Sequence, residues 1–229
     1  MLLVVGLGNP GSRYARNRHN AGFEVVSALA DHLRAPSWRE KFHGEFTRAE
    51  LGDHDALLLR PMTFMNDSGR SVRAAMSFFR VEVGDVLVVH DELDLEFGAL
   101  RLKVGGGHAG HNGLRSIFQE IGSAEFVRLR VGIGRPPKGW TGEVADFVLS
   151  DFPSEERAEL PDVVKRAVKA LVDVGRRGVP AAANALNVRP KKPKPPAATA
   201  ASEANGAGEG APDARSAVRS QEGVANRRE

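Results

Sequence analysis

The stretch that decides the fold is residues 1–33, MLLVVGLGNPGSRYARNRHNAGFEVVSALADHL. Residues 2–6 form a continuous apolar run that ends in glycines, and such a run predicts a buried strand. From Asn20 onward apolar residues recur at helical spacing as far as Leu33, and Asn20 is a plausible N-cap. A buried strand followed by a polar loop and an amphipathic helix is the opening unit of an α/β fold.

The rest of the chain continues this alternation. Further strands are predicted at residues 45–51, 56–59, 86–89, 100–104 and 126–133, and further helices at 67–79, 112–121 and 154–177. Pro161 predicts a break within the last helix, because proline removes a helical hydrogen bond. Together these elements predict a single α/β domain with a mixed, mostly parallel twisted sheet flanked by helices on both sides.

Composition limits the chemistry available to the chain. Its 229 residues include no cysteine, which excludes disulfides, thiolate zinc sites and a cysteine nucleophile. The apolar run at the N-terminus is too short for a signal peptide or a membrane span. We therefore expect a cytoplasmic protein without a membrane partner.

The C-terminal segment 190–229 differs sharply in composition from the rest. It is rich in Pro, Ala, Gly and Ser and has almost no large apolar residue, so it cannot offset the entropy of ordering. The sequence predicts a domain at 1–189 and a disordered tail at 190–229. Since the tail holds seven Lys/Arg and five Asp/Glu, residues 1–189 keep 25 against 24. Overall charge is therefore weak evidence for nucleic-acid binding, which has to be argued from local clusters.

The glycines at positions 6, 8 and 11 match the spacing of a dinucleotide-binding fingerprint. In that motif the third glycine opens a helix whose N-terminus holds a pyrophosphate. Here the following residues are polar and the helical pattern begins only near Asn20. We expect these glycines to allow a tight turn and a close approach to a substrate, with no nucleotide cofactor.

Several polar side chains follow predicted strands and so should meet in one crevice. His19 and Asp91 could form a general base with a supporting carboxylate. No G-x-S-x-G elbow is present, which favours attack by activated water over a covalent intermediate. Asn9, Asn66 and Asn112 offer neutral amides suited to peptide groups or to an oxyanion.

Each of these residues also has a structural alternative. His19 could be a surface or capping residue, Asn9 a turn residue, and Asn66 or Asn112 a helix N-cap. His90, His108 and His111 near Asp91 raise the possibility of a metal site. H-x-x-H in a glycine-rich loop lacks the i, i+4 helical geometry, so we expect no metal.

Basic side chains alternate along two predicted strands. Arg101 and Lys103 share one face of the first strand, and Arg128 and Arg130 share one face of the second. If the two strands are neighbours, the four side chains form a phosphate-binding patch for RNA. A solvated face of the sheet is the alternative.

Four stretches in register closely resemble the bacterial-type peptidyl-tRNA hydrolase family. They are VVGLGNPGSRYARNRHNAG (4–22), RPMTFMNDSG (60–69), VLVVHDELDLEFGALRLKVGGGHAGHNGLRS (86–116) and FVRLRVGIGRP (126–136). The resemblance covers residues 3–187 in the family's order and spacing. It implies a monomeric, cofactor-free hydrolase that cleaves the ester between a peptide and the 3′-terminal ribose of tRNA, recycling tRNA from aborted translation.

The resemblance also implies roles for individual residues. His19 looks like the catalytic base and Asp91 its support. The substrate-binding positions are Asn9, Tyr14, Met65, Asn66, His111 and Asn112. Lys103 and Arg130, with Arg101 and Arg128 beside them, look like the site that clamps the 5′ phosphate of the tRNA acceptor stem.

Two points qualify the resemblance. Asn17 stands where the family often has threonine, which leaves the orientation of the neighbouring His19 open. Organellar splicing proteins resemble this fold without being hydrolases, so an RNA-binding relative without catalysis is the alternative. The intact His19, Asp91 and three asparagines favour the enzyme.

Overall fold

The structure is a computed structural model that describes residues 1–187. The predicted tail 190–229 and its boundary at 189 lie outside these residues and stay predictions. The seven strands are β1 Leu2–Gly6, β2 Arg39–Lys41, β3 Gly44–Leu51, β4 His54–Pro61, β5 Val86–Glu92, β6 Leu100–Val104 and β7 Val127–Gly132. The helices are α1 Ala21–His32, α2 Ser68–Phe79, α3 Asn112–Ile121, α4 Val144–Val148 and α5 Ser154–Leu186.

The strands form one sheet in the order β2-β3-β4-β1-β5-β7-β6. The four central strands β4, β1, β5 and β7 are mutually parallel, whereas β3 and β6 run antiparallel to their neighbours. Parallel neighbours require a long crossover connection, and the predicted helices supply it. The mixed, mostly parallel α/β sheet expected from the sequence is confirmed.

Helices cover both faces of this sheet, as predicted. On one face α1 and α5 pack on side chains that include Val4, Leu58 and Leu129. On the other face α2 and α3 pack on side chains that include Leu3 and Val5. Neighbouring residues of one strand thus enter two separate cores, which is why β1 is apolar at every position.

Gly6 at the end of β1 and Gly8 just after it allow close packing against α1. A Cβ on Gly6 would lie 2.4 Å from the carbonyl oxygen of Gly22, and one on Gly8 would lie 2.6 Å from the ring of Phe23. Of the three glycines Gly6, Gly8 and Gly11, only Gly11 has a positive φ, of 100°, which suits the turn that follows. The missing side chains of Gly6 and Gly8 let α1 sit against β1. The expected close approach to a substrate stays a prediction.

The predicted break in the last helix is misplaced. The helix passes through Pro161 and is interrupted at Gly178, whose φ of 77° and ψ of 163° are not helical. Buried Leu160 and Val163 on either side of Pro161 hold the helix on the core despite the missing N–H. Gly178 adopts an angle that other residues avoid, and Pro180 disfavours helical geometry just before it.

Two short elements were not predicted, and the strands β4 and β5 are longer than expected. β2 has three residues and α4 has five, too few for a periodic pattern to be visible. β5 continues through His90 and Asp91 to Glu92, all of them buried, so these polar residues belong to the sheet rather than to a loop. None of the helices found in residues 1–187 has the length and apolar character needed to cross a membrane.

Candidate active site

A cavity of about 700 Å³ opens where β1 and β5 end and the segments that follow them meet. The residues predicted for chemistry and substrate binding line it. They are Asn9, Tyr14, His19, Met65, Asn66, Asp91, His111 and Asn112. Loops at the carboxyl edge of a parallel sheet are the usual location for such a site.

His19 and His111 both donate to the carboxylate of Asp91. Nδ1 of His19 lies 2.8 and 2.9 Å from the two carboxylate oxygens, and Nε2 of His111 lies 3.0 Å from Oδ1. The other nitrogen of His111, Nδ1, accepts the backbone N–H groups of Gly113 and Leu114 at the start of α3. Since that nitrogen accepts, His111 must carry its proton on Nε2.

The same reasoning fixes the tautomer of His19. Its Nδ1 faces an acceptor-only carboxylate and therefore carries the proton, which leaves the lone pair on Nε2. The ring lines the cavity while its Nδ1 edge faces Asp91. His19 is thus held in the tautomer that can accept a proton from a molecule in the cavity.

Asp91 is ionised in this arrangement. Burial by itself raises the pKa of Asp91, but the adjacent His19 and His111 together hold that pKa well below the usual range. The buried carboxylate therefore keeps its charge at neutral pH, where it can stabilise an imidazolium formed on His19.

The three groups His19, Asp91 and His111 are also the one cluster of potential metal ligands found in residues 1–187. Their geometry does not suit a cation between them. The nitrogens that face Asp91 are the protonated ones, and moving the proton of His111 to Nδ1 would set it against two backbone donors. The three side chains form a hydrogen-bonded network centred on Asp91 rather than a set of metal ligands.

Asn9 is oriented by two partners, and its amide orientation follows from them. Its Oδ1 accepts the backbone N–H of Met65 at 2.8 Å. The backbone N–H of Asn9 donates to Asn20 Oδ1 at 2.8 Å, and Asn20 Nδ2 donates to the backbone carbonyl of Asn9 at 3.0 Å. Asn20 occupies the N-cap position of α1 as predicted, but its side chain binds Asn9 and makes no capping hydrogen bond. Asn9 presents its Nδ2–H₂ group as a donor.

The other predicted pocket residues occupy different depths. Met65 is buried and Tyr14 half-buried, whereas Asn66 and Asn112 are exposed at the rim. Asn112 Oδ1 accepts from Arg115, and the N-cap of α3 is His111, so Asn112 is not the cap. The rim amides are positioned to meet a ligand that enters from solvent.

The four basic residues predicted for RNA lie together on β6 and β7. Arg101 is paired with Arg130 and Lys103 with Arg128 across the antiparallel ladder. Lys103 is exposed, and Arg130 donates from Nε to Glu92 Oε2 at 2.8 Å. Arg101 is half-buried beside them. Side chains of directly paired residues share a face of the sheet, so the four residues lie close together, while their binding of RNA stays a prediction.

Arg128 differs from the other three because it is buried. Its guanidinium donates to the carbonyls of Gly106 and Gly107 and lies about 5 Å from the rings of Phe118 and Phe126. Burial lowers the pKa of this guanidinium. Its donors are directed at the glycine loop, so we assign Arg128 to holding that loop rather than to contacting a phosphate.

Several residues of the site were not predicted. The α4 residues Val144, Val148 and Leu149 after it form one wall of the cavity, and Arg135 lies at its edge with Nε 3.0 Å from Asp94. Because α4 itself was not visible in the sequence pattern, no signal linked this segment to the cavity.

His90, considered above with His108 and His111 for a metal site, is buried in β5. It is 1% exposed, its Nδ1–H donates to the backbone carbonyl of Asp91 at 2.7 Å, and its ring packs edge-on against His111. Burial, with a smaller contribution from His111, lowers the pKa of His90 from 6.5 to about 3. His90 is a neutral packing residue beneath the network of His19, Asp91 and His111.

This shifted pKa predicts a loss of stability in acid. The unfolded chain protonates this imidazole near pH 6.5 but the folded chain only near pH 3, so acidification between these values favours unfolding. At about 1.4 kcal/mol per pKa unit the effect is several kcal/mol. We expect His90→Gln to lose less unfolding free energy than wild type between pH 7 and 4.5 in denaturant titrations. The exposed His32→Gln serves as control, and equal losses in His90→Gln and wild type would contradict the assignment.

The chain is similar to several known proteins. A profile of the family described as Peptidyl-tRNA hydrolase matches residues 3–195. A peptidyl-tRNA hydrolase of Sorangium cellulosum is 54% identical over 223 residues, covering 97% of this chain and 96% of its own length. One of Citrifermentans bemidjiense is 46% identical, covering 82% of this chain and 98% of its own.

A solved structure gives the same result at the level of the fold. The crystal structure of peptidyl-tRNA hydrolase from Acinetobacter baumannii matches with a TM-score of 0.76 at 43% identity, covering 82% of this chain and 94% of that one. The sequence relatives span nearly their whole length in these matches. The chain therefore belongs to the peptidyl-tRNA hydrolase family.

Proposed function

We propose that the chain hydrolyses the ester between a peptide and the 3′-terminal ribose of tRNA, with His19 activating the attacking water. The observation that carries the proposal is the Asp91–His19 pair, which leaves Nε2 of His19 as the acceptor in a cavity lined by amides. Ester hydrolysis by water needs a base, an oxyanion donor and positioning, and each is present.

The reaction is a direct attack by water. As the water oxygen bonds to the ester carbonyl carbon, His19 Nε2 takes one of its protons and the ionised Asp91 stabilises the imidazolium. The carbonyl oxygen becomes an oxyanion, for which the Nδ2–H₂ group of Asn9 is the best-oriented donor. When the carbon–ribose oxygen bond breaks, the imidazolium returns the proton to the ribose, giving free tRNA and the peptide acid.

The lining of the cavity favours water over an enzyme nucleophile. Among the described residues that form its wall there is no serine, threonine or cysteine. An acyl-enzyme intermediate would need such a group beside the base.

We assign the opposite parts of the cavity to the two halves of the substrate. Phe64, Val144 and Leu149 are exposed apolar side chains on its wall and suit peptide side chains. Asn66 and Asn112 at the rim suit the peptide backbone. The tRNA 3′ end enters from the side of Lys103 and Arg130, which we assign to the 5′ phosphate of the acceptor stem. One chain supplies the whole site, so we propose that the protein acts as a monomer. We also propose that it acts in the cytoplasm.

The test of the function is an assay of wild-type protein on an N-blocked aminoacyl-tRNA. Release of free tRNA and the N-blocked amino acid, without added metal or cofactor, supports the proposal. An RNA-binding relative without catalysis would bind the substrate and leave the ester intact, and that result would overturn it.

The clamp predicts a salt-dependent loss of tRNA binding. We expect Lys103→Ala and Arg130→Gln to weaken tRNA binding and to reduce the slope of log K against log salt by about one each. Glutamine at 130 keeps a donor for Glu92, which would otherwise lose its partner. Filter binding over a range of salt concentrations measures both quantities. The exposed Lys169→Ala on α5 is the control, and an unchanged salt slope in Lys103→Ala would remove Lys103 from the tRNA site.

A further inference from the structure

We propose that Arg18 is a positioning residue that locks the turn carrying His19 to α4, so that the base and one wall of the cavity are placed together. The inference rests on the proposed role of His19. Arg18 precedes the base directly in the turn Arg18–Asn20, yet its side chain is only 8% exposed and faces away from solvent.

Arg18 binds the segment that follows α4 through both backbone and side chain. Its backbone N–H donates to the carbonyl of Ser150 at 3.0 Å. Its Nη1 donates to Ser150 Oγ at 2.6 Å and to the carbonyl of Asp151 at 2.6 Å. Ser150 Oγ in turn donates to the carbonyl of Phe147 in α4 at 2.7 Å. A continuous chain of hydrogen bonds therefore runs from the catalytic turn into α4.

The guanidinium is also enclosed by aromatic rings and an acid. The Cζ atom of Arg18 lies 4.4 Å from the ring centre of Phe147 and 5.4 Å from that of Phe152. Nη2 lies 3.3 Å from Glu156 Oε2 at the start of α5. A flat group with forked donors can stack on Phe147 and bond sideways at the same time, whereas a lysine ammonium cannot.

α4 needs such an anchor to stay in place. A helix of five residues is too short to be stable without tertiary contacts. Val144, Val148 and Leu149 on its cavity side line the pocket, while Phe147 packs on Arg18. The neighbouring Asn17 adds a second link, since its Nδ2 donates to Asp151 Oδ1 at 2.8 Å.

Arg18 is not a further tRNA contact. A phosphate-binding arginine has to be exposed, whereas this guanidinium is buried and its Nη groups are directed at protein acceptors. We therefore expect Arg18 to affect catalysis only by positioning His19 and α4.

The test uses Arg18→Lys, which keeps the charge and loses the fork and the stacking. We expect kcat on an N-blocked aminoacyl-tRNA to fall by about 10²-fold, the loss typical of an ångström-scale misplacement. KM should rise as the cavity wall loosens. Arg157→Lys is the control, because Arg157 forms an ion pair with Glu24 (Nη1 to Oε1, 3.0 Å), is more exposed than Arg18 and does not line the cavity.

A second readout reports on α4 independently of catalysis. The ring of Trp140 lies 5.7 Å from that of Phe147, and the chain has one other tryptophan, Trp38. In a Trp38→Phe background, acrylamide quenching of Trp140 fluorescence should increase in Arg18→Lys and stay unchanged in Arg157→Lys. This signal does not depend on His19 being the base, so a failure of the proposed mechanism would leave it intact.

The outcomes separate the possibilities. Loss of activity with unchanged Trp140 quenching, or increased quenching with normal kcat, would overturn the coupling. If Arg18→Lys does not fold, Ser150→Ala decides, because it removes only the hydroxyl between Arg18 and Phe147. We expect that variant to lose kcat by up to about tenfold, one hydrogen bond's worth, together with increased quenching. Wild-type values of both would overturn the proposal.

Discussion

His19→Ala is expected to reduce kcat for peptidyl-tRNA hydrolysis by about 10²- to 10⁴-fold, the usual contribution of a positioned general base. The imidazole is held by Asp91 in the tautomer whose Nε2 accepts a proton. His108 also lines the cavity, but its Nδ1 accepts the backbone N–H of Gly110, so the neutral ring carries its proton on Nε2. His111 cannot replace His19, because its Nδ1 caps α3 and its Nε2 donates to Asp91. Single-turnover rates on an N-blocked aminoacyl-tRNA measure the loss.

The alanine variant must remain folded for this result to be informative. His19 is buried, so the substitution leaves a small void, but Asp91 keeps His111 as a donor. Thermal unfolding and tRNA affinity should therefore stay close to wild type. His54→Ala, at an exposed histidine at the start of β4, controls for the loss of an imidazole. Normal turnover by folded His19→Ala protein would disprove the role of His19 as base.

The fold could be predicted where hydrophobic periodicity is strong. β1, α1 and the central strands have patterns that extend over a full element, and they form the sheet that was expected. Pro161 was given too much weight, because burial of its neighbours outweighs one missing hydrogen bond. The predicted end of the last helix at residue 177 falls directly before the interruption at Gly178, whereas the helical segment that continues to Leu186 was not predicted.

The site could be predicted as a set of residues but not as a network. Strand ends indicated that His19, Asp91 and the asparagines would meet, and they all line one cavity. That His111 caps α3 with one nitrogen and binds Asp91 with the other depends on the angle between α3 and β5. Similarly, alternation placed Arg128 on the correct face of β7, but burial depends on Phe118 arriving from α3.

Tertiary packing also decides the roles of two arginines, Arg18 and Arg128. Arg128 is a predicted RNA-binding residue and Arg18 is not, yet both guanidiniums are buried and bind backbone carbonyls of segments beside the cavity. Burial of an arginine is costly unless its donors are used, so such residues mark segments whose position matters. We propose the exposed Lys103 and the half-buried Arg130 as the phosphate contacts.

Asp91→Asn is expected to reduce kcat by about 10²- to 10⁴-fold while leaving the shape of the site intact. Both histidines donate to this carboxylate, with His19 Nδ1 within 2.9 Å of each oxygen. An asparagine has only one acceptor oxygen, so its NH₂ group must face a donating histidine nitrogen. If that histidine is His19, the ring is driven to carry its proton on Nε2, where it can no longer act as a base. The imidazolium also loses the charge that stabilises it.

The tautomer and the rate can be followed separately. Nitrogen-15 chemical shifts of the His19 ring report which nitrogen is protonated, and single-turnover kinetics report the chemical step. We expect Asp91→Asn to shift the proton of His19 to Nε2 and to slow hydrolysis, while KM changes little because Asp91 lies beneath the base. Asp85→Asn, at the other end of β5, should change neither quantity. Slow hydrolysis with an unchanged tautomer would assign the effect of Asp91 to its charge alone, whereas fast hydrolysis would show that His19 does not depend on it.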